Sequence, residues 1–161
     1  MRAKTFAVVL LFNYCLAFAH SAESGSRVLV RDERGQLLMS TQAVQLSHGR
    51  VAVPVAAYER LGLFVKSQVK AKRVAIAIPE SDSGILLYAG SHRVRDFLHE
   101  KPEPTRNDTP VAVLRRGRFY ATASVVARAF NDKFTTTWDK RTHTIILQRT
   151  KQFGKQLPEL N

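Results

Sequence analysis

Two stretches of this chain read alike: GRVAVPVAAYERLGLFVKSQVKAKRVAIAI at Gly49–Ile78 and GRFYATASVVARAFNDKFTTTWDKRTHTIIL at Gly117–Leu147. Each opens on Gly-Arg, continues through a segment with helical spacing, and closes on two runs that favour strands. The second copy carries one inserted residue, which aligns Ile76 with Ile145. Internal similarity of this kind indicates that one structural unit occurs twice.

Each copy contains the pattern of one short helix. Ala57 and Leu61 lie four residues apart, as do Val126 and Phe130. Because residues four apart share one side of a helix, each segment presents one apolar stripe. We therefore predict two short helices, each packed on a core through this stripe.

The ends of these helices carry recognisable signals. Pro54 suits the first helical position, where its missing N–H costs nothing, and the Thr122 hydroxyl is expected to cap the matching helix. Gly62 and Asn131 follow the last apolar positions. Both residue types tolerate the left-handed conformation that ends many helices, so we predict a left-handed residue at each site.

Strand pairs surround each helix. Polar turns at Lys70–Arg73 and Asp139–Thr142 precede runs of β-branched residues at Val74–Ile78 and Thr144–Leu147. Further upstream, Arg34-Gly35 lies between two apolar runs, and the stretch around Gly90-Ser91 repeats that arrangement, so both indicate hairpins. Every predicted helix is thus preceded and followed by a hairpin.

These elements predict an α+β fold in which antiparallel β hairpins pack on two short helices. The two pseudo-repeated units are ββαββ-like. One unit of roughly 60 residues buries little apolar surface by itself, so we expect both to share one continuous core.

The chain divides into five predicted segments. A signal peptide occupies residues 1–22, the first unit 23–98 and the second unit 111–150. Between the units, the proline-rich and apolar-poor stretch 99–110 predicts a connector without regular structure. Residues 151–161 are expected to form a flexible tail.

The first residues have the features of a secretory signal. Arg2 and Lys4 precede the uncharged run Thr5–Ala19, and small residues follow for cleavage between Ala19 and Ala22. An uncleaved membrane anchor is the alternative, but the run is short for a span of about 20 residues. We expect a cleaved signal, a secreted or periplasmic protein, and no membrane span in the mature chain.

The composition of the mature chain restricts its chemistry and its partners. Cys15, the single cysteine, lies in the predicted signal, so the mature chain would hold no thiol for a disulfide or a nucleophile. Removing residues 1–22 leaves 23 basic against 13 acidic side chains, a net charge of +10. A small protein with this charge is expected to associate with polyanions.

The motifs of both copies resemble the copper amine oxidase N-terminal-like domain, also called the stalk domain. The residues that carry the resemblance are Arg34-Gly35, Gly49-Arg50, Val53-Pro54, Leu61-Gly62, Val65, Ile85–Gly90, Gly117-Arg118, Phe119-Tyr120, Phe134 and Trp138-Asp139. The resemblance spans about Arg27 to Gln148. It departs from the family pattern at Val55-Ala56, at Thr122 and at Phe130-Asn131. The resemblance implies an accessory wall-associated module, since in amine oxidases this domain lies away from the copper and the quinone.

No pattern in the sequence predicts catalysis, a metal or a cofactor. The five histidines, at His20, His48, His92, His99 and His143, form no metal-binding spacing. Ser81–Gly84 has the composition of a polar turn, while Asp32-Glu33, Glu100 and Glu103 fall in turns or the connector. We therefore expect no catalytic residues and a protein that is not an enzyme.

Basic residues cluster at predicted turns and form a candidate polyanion-binding set. Its members are Lys70, Lys72, Arg73, Arg115, Arg116, Arg118, Lys140 and Arg141. Alternatively, these residues only keep turns and sheet edges soluble. Trp138 sits at a periodic position that favours core packing, although a tryptophan near a turn also suits carbohydrate stacking.

The sequence leaves two main functional hypotheses. The first is an exported, non-catalytic binding module that associates electrostatically with anionic cell-envelope polymers. The alternative is a structural or protein-interaction module, a stalk or oligomerisation unit without polyanion affinity, whose partner is another envelope protein. Aromatic and basic residues do not interleave as specific nucleic-acid binding would require. The oligomeric state is left open.

Overall fold

The computed structural model describes residues 25–97, the backbone of 103–104 and residues 109–157; the predicted signal peptide at 1–22 lies outside them. In chain order, the elements are β1 (Arg27–Arg31), β2 (Leu37–Gln42), β3 (Val44–Gln45), β4 (Val51–Pro54), α1 (Val55–Arg60), β5 (Phe64–Gln68), β6 (Arg73–Ala77), β7 (Gly84–Tyr88), β8 (Arg93–Asp96), β9 (Glu103–Pro104), β10 (Ala112–Arg115), β11 (Arg118–Thr122), α2 (Ala123–Ala129), β12 (Phe134–Asp139), β13 (Thr144–Arg149) and α3 (Lys151–Gly154).

The strands form three sheets. Their strand orders are β12-β13-β1-β2, β10-β11-β4-β3 and β5-β6-β7-β8-β9. We call the second of these the central sheet. All pairs within the sheets are antiparallel except β1 with β13, which run parallel. Mainly antiparallel sheets with few short helices agree with the predicted α+β class.

Two of the three sheets combine strands from both sides of the connector. In the first sheet, β13 pairs with β1, so that Val28 lies opposite Ile145 and Val30 opposite Leu147. In the central sheet, β4 pairs with β11. Strands far apart in sequence therefore complete each other's hydrogen bonding, which ties the beginning of the described chain to its end.

Nearly all buried apolar side chains of the described residues form one cluster. Both predicted apolar stripes belong to it: Ala57, Leu61 and Val126 are fully buried, and Phe130 is nearly so. The other large buried members come from the strands, α1 and α3, and are Val28, Val30, Val53, Tyr58, Val74, Ile76, Leu87, Phe119, Phe134, Leu147 and Phe153.

Pro54 is not the first helical residue, contrary to the prediction: it ends β4 with a ψ of 132°, and α1 begins one residue later at Val55.

The other predicted helix ends hold at Gly62 and fail at Thr122 and Asn131. Gly62 follows α1 with a φ of +97°, as its left-handed role requires. Thr122 precedes α2 but does not cap it; its buried hydroxyl instead donates to the Pro110 carbonyl at 2.7 Å. Asn131 is not left-handed: the chain already leaves the helix at Phe130, which has a φ of −129° and is 1% exposed.

Two segments predicted to lack regular structure contain short elements within their described residues. Within the connector 99–110, β9 pairs with β8 at the edge of its sheet, a location that tolerates Pro104 since an edge N–H needs no partner strand. Within the tail 151–161, Lys151–Gly154 forms α3, whose Phe153 is 2% exposed. Burial of this one aromatic ring anchors the first turn of the predicted tail to the core.

The hairpins after the two helices close on turns of equal length. Gln68 pairs with Arg73 at the end of the first and Asp139 with Thr144 at the end of the second, so four residues form each turn. If the two closing pairs are matched, Ile145 takes the position of Val74, whereas the sequence comparison pairs it with Ile76. The shift is two residues, so the same face of each strand still points to the core.

Arg149 joins three parts of the fold. Its Nε donates to the Leu61 carbonyl at 3.0 Å and its Nη2 to the Arg60 carbonyl at 3.1 Å, both at the end of α1. Its Nη1 lies 3.3 Å from the Glu33 carboxylate in the β1–β2 turn. The side chain is 14% exposed, so these carbonyls would lose a well-ordered partner if the guanidinium were removed.

The first prediction concerns this guanidinium. Arg149→Gln is expected to lower the free energy of unfolding by about 2 to 4 kcal/mol, because it leaves two helix-end carbonyls and Glu33 without their donor. Arg149→Lys should recover only part of the loss, since one ammonium cannot reproduce the planar fork. Urea unfolding measures both, with the exposed Arg95→Gln as control. A loss for Arg149→Gln no larger than the control's would contradict the assignment.

The second prediction concerns a hydroxyl with no partner. Tyr58 is fully buried, its ring tilts against Phe134, and its hydroxyl has no hydrogen-bond partner among the described residues. Burial raises the pKa of Tyr58 far above its usual value, so it remains neutral. Tyr58→Phe should leave the melting temperature unchanged or raise it, because the substitution breaks no hydrogen bond. The corresponding gain in the free energy of unfolding is up to about 1 kcal/mol. Tyr88→Phe, at a half-exposed site, is the matched control; clear destabilisation by Tyr58→Phe alone would reveal a hidden partner.

Candidate functional site

The central sheet has one face in the core and one facing outward. Val53 pairs with Ala121, and both are fully buried. Neighbouring residues alternate between faces, so Pro54 and its partner Tyr120 lie on the other side. Both are half-buried there. The outer face is therefore accessible in part, although the sheet lies at the centre of the fold.

A groove on this outer face gathers three predicted residues. It has a volume of about 740 Å³. We call it the arginine groove; its lining residues are Val44, Arg115, Arg116, Arg118 and Tyr120. Register explains the grouping: Arg115 pairs with Arg118, so both project from the same face as Tyr120 two residues further on. The sequence predicted the arginines but not Val44 and Tyr120.

Arg116 stands in an unusual backbone conformation. The β10–β11 turn consists of Arg116 and Gly117, with φ values of 49° and 75°. Two successive left-handed residues suit a tight hairpin, but glycine, asparagine or aspartate usually fills the first position. An arginine there costs on the order of 1 kcal/mol. The turn thus carries an arginine at a position where the backbone conformation favours other residue types.

The charged residues of the central sheet all have one sign. Residues 109–131 contain four arginines and no aspartate or glutamate, and residues 34–58 contain two arginines and likewise no acidic residue. The central sheet, including its tight turns, lies within these two stretches. Its surface therefore has a positive potential that no carboxylate of the sheet offsets.

A second cavity contains Trp138. It has a volume of about 580 Å³, and we call it the tryptophan cleft. Its lining residues are Gly49, Arg50, Val51, Ala123, Ser124, Ala127, Arg128, Thr136, Trp138 and Ile145. Trp138 is 39% exposed, so its ring is not a core residue. Neither Arg50 nor Arg128 was among the predicted site residues.

The other predicted basic residues do not line the arginine groove. Lys70 and Lys72 lie in the β5–β6 turn of a different sheet. Arg73 belongs to β6, and its Nε donates to the Gln68 side chain across the hairpin. Lys140 and Arg141 lie in the β12–β13 turn, again in another sheet. The eight residues thus form three separate basic turns.

The β12–β13 turn is shaped by a carboxylate. Asp139 accepts hydrogen bonds from the Thr142 hydroxyl at 2.8 Å and from the Arg141 N–H at 2.9 Å. The Thr142 hydroxyl, followed by the Arg141 N–H, lowers the pKa of Asp139 below its usual value of 3.8. Asp139 thereby holds Lys140 and Arg141 at the tip of the turn.

Within the described residues, no three His, Cys, Asp or Glu side chains come together as a metal site. Nor does any helix in that part of the chain have the length and apolar character needed to cross a membrane.

The chain matches no family model, no curated protein and no solved structure. The resemblance to the stalk domain therefore depends on the motifs of the sequence alone.

The third prediction concerns the Asp139 turn. The lowered pKa means that the carboxylate's contribution to the turn is complete above pH 3.8 and is lost as the pH falls through the lower folded value. An NMR titration of the Asp139 carboxyl should therefore have its midpoint below 3.8. Thr142→Val removes the largest cause and should move the midpoint back toward 3.8. A wild-type midpoint at or above 3.8 would contradict this description of the turn.

Proposed function

We propose that this chain is an exported, non-catalytic binding module that associates electrostatically with an anionic cell-envelope polymer through the arginine groove. The observation that carries the proposal is a central sheet whose charged side chains are all arginines. Its export rests on the sequence of residues 1–22, and the net charge of +10 after their removal favours any polyanion outside the membrane.

The side chains of the groove suit carboxylate or phosphate groups. A guanidinium presents parallel N–H donors that match the two oxygens of either group, whereas an ammonium acts as a point charge. Arg116 and Arg118 are exposed. Tyr120 and Val44 give the groove a partly apolar wall, on which the backbone of a polymer can lie while its acidic groups reach the arginines.

We also propose that the strand–helix–hairpin segments beginning at β4 and β11 are two copies of one stalk-like unit. In support, His48-Gly49 and Arg116-Gly117 are both pairs of successive left-handed residues before the strand that enters a helix. Lys72 and His143 are likewise left-handed at the ends of the two following turns. These conformations recur at corresponding places although most of the residue types differ.

One observation favours the alternative, a structural or protein-interaction module. β2 is an edge strand, its six residues carry no charge, and Leu37 and Leu38 are 57% and 40% exposed. An uncharged edge strand can accept a strand from another envelope protein. Such association would persist at high salt in size-exclusion chromatography, whereas a polyanion complex would dissociate.

The fourth prediction tests the arginine groove. The double variant Arg116→Gln/Arg118→Gln should weaken binding to a polyuronate and to inorganic polyphosphate, and lower the slope of log affinity against log salt by roughly two. Isothermal titration between about 50 and 200 mM salt measures the slope. The matched control is Arg93→Gln/Arg95→Gln, which removes two exposed strand arginines from another sheet.

The control separates groove binding from general charge. The proposal is supported if the control double variant keeps the affinity and salt slope of the wild type while the groove double variant shows a reduced slope. Equal losses in both would assign the affinity to net charge and contradict the groove. Absence of any polyanion binding by the wild type would exclude the first function and favour the interaction module.

A further inference from the structure

The tryptophan cleft is built by three parts of the chain. The start of β4 supplies Val51, α2 supplies Ala123 and Ala127, and the β12–β13 hairpin supplies Trp138 and Ile145. Small apolar side chains thus surround one large ring. Cavities of this size with mainly apolar walls and few polar groups are typical of sites for small ligands.

Trp138 extends the core to the surface. It lies on the same face of β12 as Phe134, four residues earlier, which is 2% exposed. Its cross-strand partner Ile145 is 3% exposed and supports the indole from β13. The centroids of the His143 ring and the indole lie 6.3 Å apart, with an interplanar angle of 77°. The imidazole therefore meets the indole edge-on and does not cover its face in a parallel stack. The indole is therefore held in place while more than a third of the residue stays accessible.

The polar groups of the cleft are cationic or neutral. Arg50 and Arg128 line it, Ser124 and Thr136 add hydroxyls, and no carboxylate is among its lining residues. Arg128 is exposed on α2. A ligand that uses all these groups has a flat apolar face for the indole, hydroxyls for the two neutral side chains, and an anionic group for the guanidinium groups.

We propose that the tryptophan cleft is a second subsite, which binds one acidic pyranose ring of the polymer, such as a uronic acid unit. The inference rests on the proposed function and narrows its ligand class to an acidic polysaccharide. The ring's C–H face stacks on Trp138, its carboxylate pairs with Arg128, and its hydroxyls bond to Ser124 and Thr136. A polymer of phosphate alone would use the charge but not the indole.

The cleft and the arginine groove occupy different places on the central sheet. Because β4 and β11 are antiparallel, the cleft at the start of β4 and the Arg116 turn before β11 lie at opposite ends of the central sheet. A five-residue strand such as β11 is roughly 15 Å long. The cleft includes Val51, which shares a face of β4 with the buried Val53, whereas the groove lies on the face that carries Tyr120. The cleft is therefore a separate contact for the polymer, and its binding of a ring does not depend on simultaneous contact with the groove.

The protein contains a single tryptophan, so its indole emission reports on this cleft alone. The experiment titrates the full chain with three probes: an oligogalacturonate, its methyl ester, and inorganic polyphosphate. The ester keeps the ring and removes the charge. We expect the oligogalacturonate to shift the emission saturably, the ester to bind at least tenfold more weakly, and polyphosphate to bind without shifting the emission.

Two variants and one control localise the response. Ala127→Leu fills the cleft and should abolish the emission shift while polyphosphate binding persists. Arg128→Gln changes an exposed side chain outside the core and should weaken oligogalacturonate binding about tenfold, the scale of one charge-assisted contact. Arg95→Gln removes an equal charge from β8 and should leave the oligogalacturonate affinity within twofold of the wild type.

The outcomes separate this subsite from the groove. Polyphosphate binding with no emission shift from oligogalacturonate overturns the subsite and leaves the proposed function standing. An equal shift from the ester, or a shift that survives Ala127→Leu and Arg128→Gln, also overturns it. Failure of every polyanion to bind overturns both. An emission shift that requires the carboxylate and Arg128 supports the subsite even if the groove variants bind normally.

Discussion

The antiparallel pairing of β4 with β11 is the constraint on which the rest of the structure depends. Each strand runs directly into a helix, so the register of Val53 with Ala121 fixes where both helices begin. The same register turns Tyr120 and Pro54 outward, which creates the face that carries the arginine groove. Because the strands are antiparallel, the turns that precede them, His48-Gly49 and Arg116-Gly117, lie at opposite ends of the sheet. The core and both candidate sites therefore follow from one strand pair.

The C-terminal part of the described chain packs on the first helix and on the β1–β2 turn. β13 lies between β12 and β1, and Arg149 at its end binds α1 and the β1–β2 turn. Leu157 then occupies the space beside Gly62 where a side chain would project, and Phe153 fills the adjoining core. The first helix is thus held by residues that lie about ninety positions later in the sequence. Folding of the two halves is consequently expected to be cooperative.

Local patterns in the sequence predicted the local parts of the fold. Helical spacing identified the apolar stripes, and the backbone freedom of glycine located the end of α1 at Gly62. The predicted capping role of Thr122 was wrong because its hydroxyl donates to the Pro110 carbonyl. The local sequence around the helix start gives no sign of this partner. Arg149 and Phe153 act through partners that only the folded chain brings near, so neither was predicted. At the site, turn composition identified Arg116, whereas Arg50 and Arg128 join the tryptophan cleft through strand register and helix packing.

The most direct test of the interlocked fold is a cut in the connector. A protease site placed between Pro104 and Thr109 would divide the chain so that β1 to β9 and β10 to α3 lie on separate fragments. Circular dichroism during urea unfolding then measures each fragment alone and the mixture. We predict no cooperative transition for either fragment and recovery of one transition on mixing, because the β4–β11 and β1–β13 pairs form only between them. A cooperative transition in an isolated fragment would contradict the account.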